Sequence, residues 1–153
     1  MGNSAITSIY SAIASLTPTV SSDHMPKVQG YAAVNESLNA DELPVRKLQA
    51  FSNESEGEMA FVALGHTINV SWTVVDRFFY RIATMGTGWG EFSDELTKYC
   101  KSYIDILRTN RAPTSQSHVV SARFVPGVYT FPEGSNQRVA GVDVILTIEE
   151  VVS

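Results

Sequence analysis

Alternation of apolar and polar residues is strongest over residues 66–83. There Ile68, Val70, Trp72, Val74, Phe78, Tyr80 and Ile82 share one parity, and Asn69, Ser71, Thr73, Arg77 and Arg81 the other. A period of two predicts a long, half-buried strand. Two more strands are predicted over residues 119–131 and 138–152, joined by Pro132, Glu133, Gly134, Ser135 and Asn136. In the last of them Ala140, Val142, Val144, Leu146 and Ile148 face one way. Shorter apolar runs at residues 45–51 and 59–64 predict two further strands on either side of an acidic turn, residues 52–58.

Three- and four-residue spacing marks two helices. Over residues 4–16, Ile6, Ile9, Tyr10 and Ile13 form one face, with Asn3 or Ser4 as cap and Thr17-Pro18 as stop. Over residues 91–108 the stripe is Phe92, Leu96, Tyr99, Cys100, Tyr103 and Leu107. Glu91, Asp94 and Glu95 suit that helix's positive end and Arg108 its negative end. Asp94–Lys98 and Lys101–Asp105 fall at i,i+4 on its outer face. Residues 20–42 lack a strong period and carry Pro26 and Gly30, so they read as an extended arm or short turn. The predicted order, α-β-β-β-α-β-β, is that of an α+β fold. It implies an antiparallel, at most mixed, sheet with two helices packed on one face, forming a single domain over residues 1–153.

Asp76 interrupts the apolar parity of the long strand, between Val74 and Phe78. An unpaired buried carboxylate is costly. Either a bulge at Val75-Asp76 shifts the parity and turns Phe79 inward, or an arginine pairs with Asp76. Because Val75 and Phe79 are apolar on the supposedly wet side, the bulge is the favoured reading. The strand's length has its own consequence. At ~3.3 Å per residue it spans roughly 50 Å, against a diameter of about 40 Å for a domain of this size. Long strands therefore project, and exposed strand edges invite another chain. Arg77 and Arg81, with Phe79 between them, read as a contact face for a neighbouring acidic surface; the competing reading is a bent sheet with solvated arginines.

Composition narrows the function classes. The chain has 153 residues, 44% of them hydrophobic and 18% charged, with a net charge of -5. That acidity argues against a surface built to grip phosphates. No run approaches the ~18 apolar residues of a membrane span, and the opening segment lacks the basic start of a secretory signal. A single cysteine, Cys100, excludes an intramolecular disulfide framework and fits a reducing cytoplasm. Gly86, Gly88 and Gly90 precede a helix, but there is no P-loop lysine and Glu91 stands at the anion position, so a flexible connection is expected. His24, His66 and His118 are dispersed with no ligand spacing, and no nucleophile motif is present. The expectation is a non-enzymatic chain without cofactor or metal.

The order and texture of ITSIYSAIASL, INVSWTVVDRFFYRI, FSDELTKYCKSYIDILR, VVSARFVPGVYTF and VAGVDVILTIEEV resemble the tail terminator proteins of long-tailed bacteriophages with non-contractile tails. The resemblance covers nearly the whole chain, with residues 20–42 longer than the family's usual connection. It implies a homo-oligomeric ring of six subunits, located in the virion tail and assembled in the host bacterial cytoplasm. Such a ring caps the tail tube, stops its polymerisation and presents a surface to the head–tail connector or neck protein. Genomic DNA passes through its lumen unbound. On this reading Glu54, Glu56 and Glu58 are candidates for a lumen or rim loop, and Arg77, Phe79 and Arg81 for the subunit interface. Glu133, Gly134, Ser135 and Asn136 are candidates for the contact with tube or connector. The alternatives are a head-side neck or tail-completion protein, or a small ligand-binding α+β domain with Trp72, Tyr99 and Tyr103 lining a pocket.

Overall fold

The computed structural model describes residues 6–20, 26–29, 43–49, 58–64, 67–83, 89–130 and 138–152. Helix α1 spans Ile6–Ser15 and α2 spans Trp89–Thr109; the strands are β1 Lys27–Gln29, β2 Val45–Leu48, β3 Glu58–Leu64, β4 Thr67–Ile82, β5 Ser117–Thr130 and β6 Arg138–Val152. The α+β class expected from the sequence is the observed one. β1 is an addition, lying within residues read as an arm or turn. Three residues are too few to leave a period in the sequence.

β4 is the spine of the sheet. β6 runs antiparallel along one of its edges from Ile68 to Ile82. The other edge is shared end to end by β3, against residues 67–73, and β2, against residues 76–79. β1 adds to β2 in parallel, making the sheet mixed, and β5 adds to β6 on the far side. The order is β1-β2-β4-β6-β5, with β3 beside β4. The long central strand is thus paired on both edges, and the edge its length creates belongs to β5.

One core gathers Ile9, Ile13 and Leu16 of α1 with Phe92, Leu96, Tyr99, Tyr103 and Leu107 of α2. Both sets meet Val70, Trp72, Val74 and Phe78 of β4 and the predicted stripe Ala140, Val142, Val144, Leu146 and Ile148 of β6. A smaller cluster of Val45, Phe79 and Val139, with Leu43 against it, lies on the opposite parity. Phe79 is thus buried without a change of parity at Asp76. The register from Ile68 through Phe79 is unbroken, and the shift falls between Phe79 and Arg81. The bulge expected at Val75-Asp76 therefore sits at Tyr80 instead. Its effect is to send Ile82 to pair with Val139 of the second cluster, and Arg81 to pair with Ala140 of the main one.

Gly141 stands opposite Phe79 at this irregularity and opposite Gly127 of β5. A Cβ on Gly141 would fall inside the radius of the Phe78 carbonyl oxygen and 3.2 Å from its carbon, whereas one on Gly127 would meet the Tyr129 ring at an ordinary 3.8 Å. The two glycines therefore predict opposite outcomes. Gly141→Ala should lower unfolding stability by about 1–3 kcal/mol or more in urea titration, because backbone must move. Gly127→Ala should stay within about 0.5 kcal/mol.

Candidate functional site: a buried ion pair and an open sheet edge

Asp76 is fully buried, and its partner is Arg46, itself 1% exposed. The Arg46 Nε and Nη2 donate to Asp76 Oδ2 at 3.2 and 2.5 Å, and the Tyr103 hydroxyl donates to the same oxygen at 2.7 Å. Two further guanidinium hydrogens reach α1: Nη1 donates to the Leu16 carbonyl at 2.7 Å and Nη2 to that of Ile13 at 3.1 Å. Those carbonyls lie at the negative end of α1, where the Ile13 carbonyl also accepts from Leu16 N–H at 3.2 Å, so one cation serves a carboxylate and a helix terminus together. Burial alone would lower the Arg46 pKa. The Asp76 carboxylate, with smaller contributions from Tyr103 and Tyr99, outweighs it and raises the value above arginine's ordinary range.

Burial, then the nearby Asp76 charge, pushes the Tyr103 and Tyr99 hydroxyls well above the usual tyrosine range, so both stay neutral. Among the described residues, the Tyr99 hydroxyl and Asp76 Oδ1 have no hydrogen-bond partner. Tyr99 works through its ring, which stacks on Phe78 at 3.8 Å with planes 10° apart. Tyr103 meets Tyr99 edge-on at 6.0 Å and Phe124 of β5 at 5.8 Å. The aromatic series thus runs from β4 through α2 to β5. Trp72, Tyr99 and Tyr103, the candidate pocket lining, are packed into the core instead. At the other end of the sheet the Trp72 indole donates to buried Glu150 at 2.8 Å.

The β5 edge is different. Among the described residues no strand lies beyond β5, and Val120 and Val125 are 51% and 40% exposed. A register shift between Val119 and Ser121 puts an irregularity at Val120. Val119 N–H donates to the Arg111 carbonyl at 2.7 Å, so the open part of the edge begins at Val120. Pro126, paired with Val142, closes it, because a proline inside a strand faces its missing N–H away from the ladder. Between this edge and α2 runs an open groove of about 490 Å³, with Ile104, Leu107, Val120 and Phe124 as apolar lining and Arg108 and Arg111 at the rim.

The expected interface residues are not brought together. Arg77 is partly buried and pairs with Asp143 of the same chain at 3.3 Å; Phe79 is 2% exposed within the second cluster; Arg81 is exposed with its guanidinium 4.9 Å from the centre of the Tyr80 ring. The shift at Tyr80 undoes the i,i+4 parity on which that face rested. Glu54 and Glu56 lie outside the described residues, as do Glu133, Gly134, Ser135, Asn136, Gly86, Gly88, His24 and His66. Glu58 opens β3, with only its backbone described. His118 is exposed, 3.8 Å from Glu149. Cys100 is half-buried and burial pushes its thiol pKa up, away from nucleophile chemistry. Among the described residues no group of three His, Cys, Asp or Glu could hold a metal ion, and no helix is long and apolar enough to cross a membrane.

Sequence reasoning missed Arg46, hidden in a short run without period, and the β5 edge. Pro126 is the signal that could have marked that edge. In comparison with known proteins, no family model, curated protein or solved structure matches the chain.

The hydrogen-bond pattern predicts a graded response in urea unfolding. Asp76→Ala leaves Arg46 buried and unpaired, costing about 3–5 kcal/mol. Tyr103→Phe removes one charged hydrogen bond, about 1.5–3 kcal/mol. Tyr99→Phe removes a hydroxyl with no partner and should be neutral or stabilising within about 1 kcal/mol. Equal losses for the two tyrosines would refute the assignment of Tyr103 as the donor to Asp76.

Proposed function

We propose that the chain is a structural virion protein of the tail terminator kind, forming a ring of six subunits as the resemblance of its sequence implies. The observation that carries an assembly role is the open β5 edge, bounded by Val120 and Pro126 and flanked by the apolar groove. An uncovered strand edge with exposed valines is a liability in a monomer and an asset in an assembly. The ring caps the finished tail tube, stops its growth and offers the connector or neck protein a docking surface. A net charge of -5 suits a lumen through which DNA slides without adhering. In this reading the buried Arg46–Asp76 cluster holds the shape of the subunit and performs no chemistry.

The groove favours a second reading. Its volume, about 490 Å³, lies within the usual small-ligand range, and a ligand-binding α+β domain would use it as a site. A head-side neck or tail-completion protein, with a similar small α+β layout, is a third reading. Native mass separates the ring reading from the ligand-binding one. The terminator reading expects a mass near six chains in solution, or a ring that forms at one end of tail tubes from the same virus. A strict monomer that ignores tubes would contradict it and leave the groove as the feature to pursue.

A further inference from the structure

Main-chain geometry shows which groups the β5 edge holds out. The Val151 N–H of β6 donates to the Gln116 carbonyl at 2.9 Å, so the odd-numbered residues of β6 address β5. Their partners Ser121, Arg123 and Val125, opposite Thr147, Ile145 and Asp143, therefore turn their own N–H and C=O inward. Ala122 and Phe124, opposite Leu146 and Val144, turn theirs outward. The flanking residues agree. Val119, opposite Ile148, sends its N–H outward to the Arg111 carbonyl, and Pro126, opposite Val142, has no N–H to offer. Among the described residues no strand lies beyond β5, so the main-chain groups of Ala122 and Phe124 form the open part of the ladder.

Side chains give this short edge two distinct sides. Ala122 and Phe124 pack against the main core on the α2 side, beside the groove with exposed Ile104 and Val120. Arg123 stands on the other side of the sheet and is exposed. A strand added antiparallel to β5 exchanges both N–H···O bonds with Ala122 and again with Phe124. Its residues opposite those two project over the groove, and the one between them projects beside Arg123. Because it runs the other way, its later residues pass Val120 towards Arg108 and Arg111 at the groove rim.

Charge selects the occupant. The chain has a net charge of -5, yet Arg108, Arg111 and Arg123 frame this edge, all exposed. Among the described residues Arg111 and Arg123 form no ion pair, and Arg108 reaches Asp105 only at 4.0 Å. A second copy of β5 is a poor fit. Using both residues of both copies sets Ala122 opposite Phe124, and so Arg123 directly opposite Arg123, where like charges are unfavourable.

We propose that the β5 edge is a docking site for an extended segment of a second protein. That segment is apolar opposite Ala122 and Phe124, acidic opposite Arg123, and acidic again where it passes Arg108 and Arg111. Main-chain hydrogen bonds supply the affinity, and the arginines fix register and direction. The site goes beyond the ring reading and is tested without a ring, so its failure leaves the native-mass test untouched.

Synthetic peptides test it on the full chain. The probe is the peptide Thr-Val-Glu-Val-Thr-Glu-Glu, with blocked ends and a fluorescent label, titrated by anisotropy. One control carries lysine in place of the first glutamate. A second is N-methylated at both valines, which keeps every side chain and removes the donors to the Ala122 and Phe124 carbonyls. The probe should bind and slow amide exchange at Ala122 and Phe124, read by NMR. Both controls should bind roughly tenfold more weakly, or worse. Arg123→Glu, checked for folding by far-UV circular dichroism, should prefer the lysine peptide. A probe that does not bind at millimolar concentration overturns the site. So does equal binding of the N-methylated peptide, or a peptide preference that Arg123→Glu leaves unchanged. Protection of the Ala122 and Phe124 amides that grows with protein concentration, without peptide, assigns the edge to a second copy and overturns it as well.

Discussion

The guanidinium of Arg46 and the carboxylate of Asp76 meet where α1, β2, β4 and α2 converge, and the arrangement of all four elements follows from that meeting. Each charge carries a desolvation cost of several kcal/mol, which mutual attraction offsets only with good geometry and further hydrogen bonds. Here the further bonds come from Tyr103 of α2 and from the Ile13 and Leu16 carbonyls at the end of α1. The pair also fixes register. β2 has four residues, pairing Arg46 with Phe78 and Leu48 with Asp76. A slip by one residue would move Arg46 to the other side of the sheet and strand both charges. So short a strand has little else to hold it in place.

Local pattern in the sequence carries the long elements well. The alternation around Trp72 and Val144 and the stripe through Leu96 and Tyr103 identify β4, β6 and α2 to within a few residues, because each buries one side against a continuous core. Asp76 stands out in the same pattern as a polar residue on an apolar parity, but its partner is 30 positions away in a run that shows no period. Local reasoning therefore reaches for the local remedy, a bulge at the aspartate. The bulge exists four residues later, at Tyr80, and that displacement separates Arg77 from Arg81. β1 is too short to be read at all. The open edge is not a local property: whether a strand is central or outermost depends on the pairing of distant segments, and Pro126 is its one trace in the sequence.

A firm centre and an open margin are complementary demands on one sheet. β4 is paired on both edges and packed through Phe78, Tyr99 and Tyr103. The aromatic series ends on Phe124 of β5, which lines the groove beside the exposed edge. The braced core thereby holds the edge straight without covering it. In the proposed assembly, an edge already held in place by the core would add a partner at a low ordering cost.

Amide hydrogen exchange, measured on the isolated chain and on the ring proposed above with its edge segment bound, tests this division most directly. The account predicts that β4 and β6 amides exchange slowest in both states. Outward-facing amides over residues 120–125 should exchange quickly in the isolated chain and become protected on assembly. Protection of those amides already equal to that of β4 in the isolated chain, or unchanged in that ring, would contradict it.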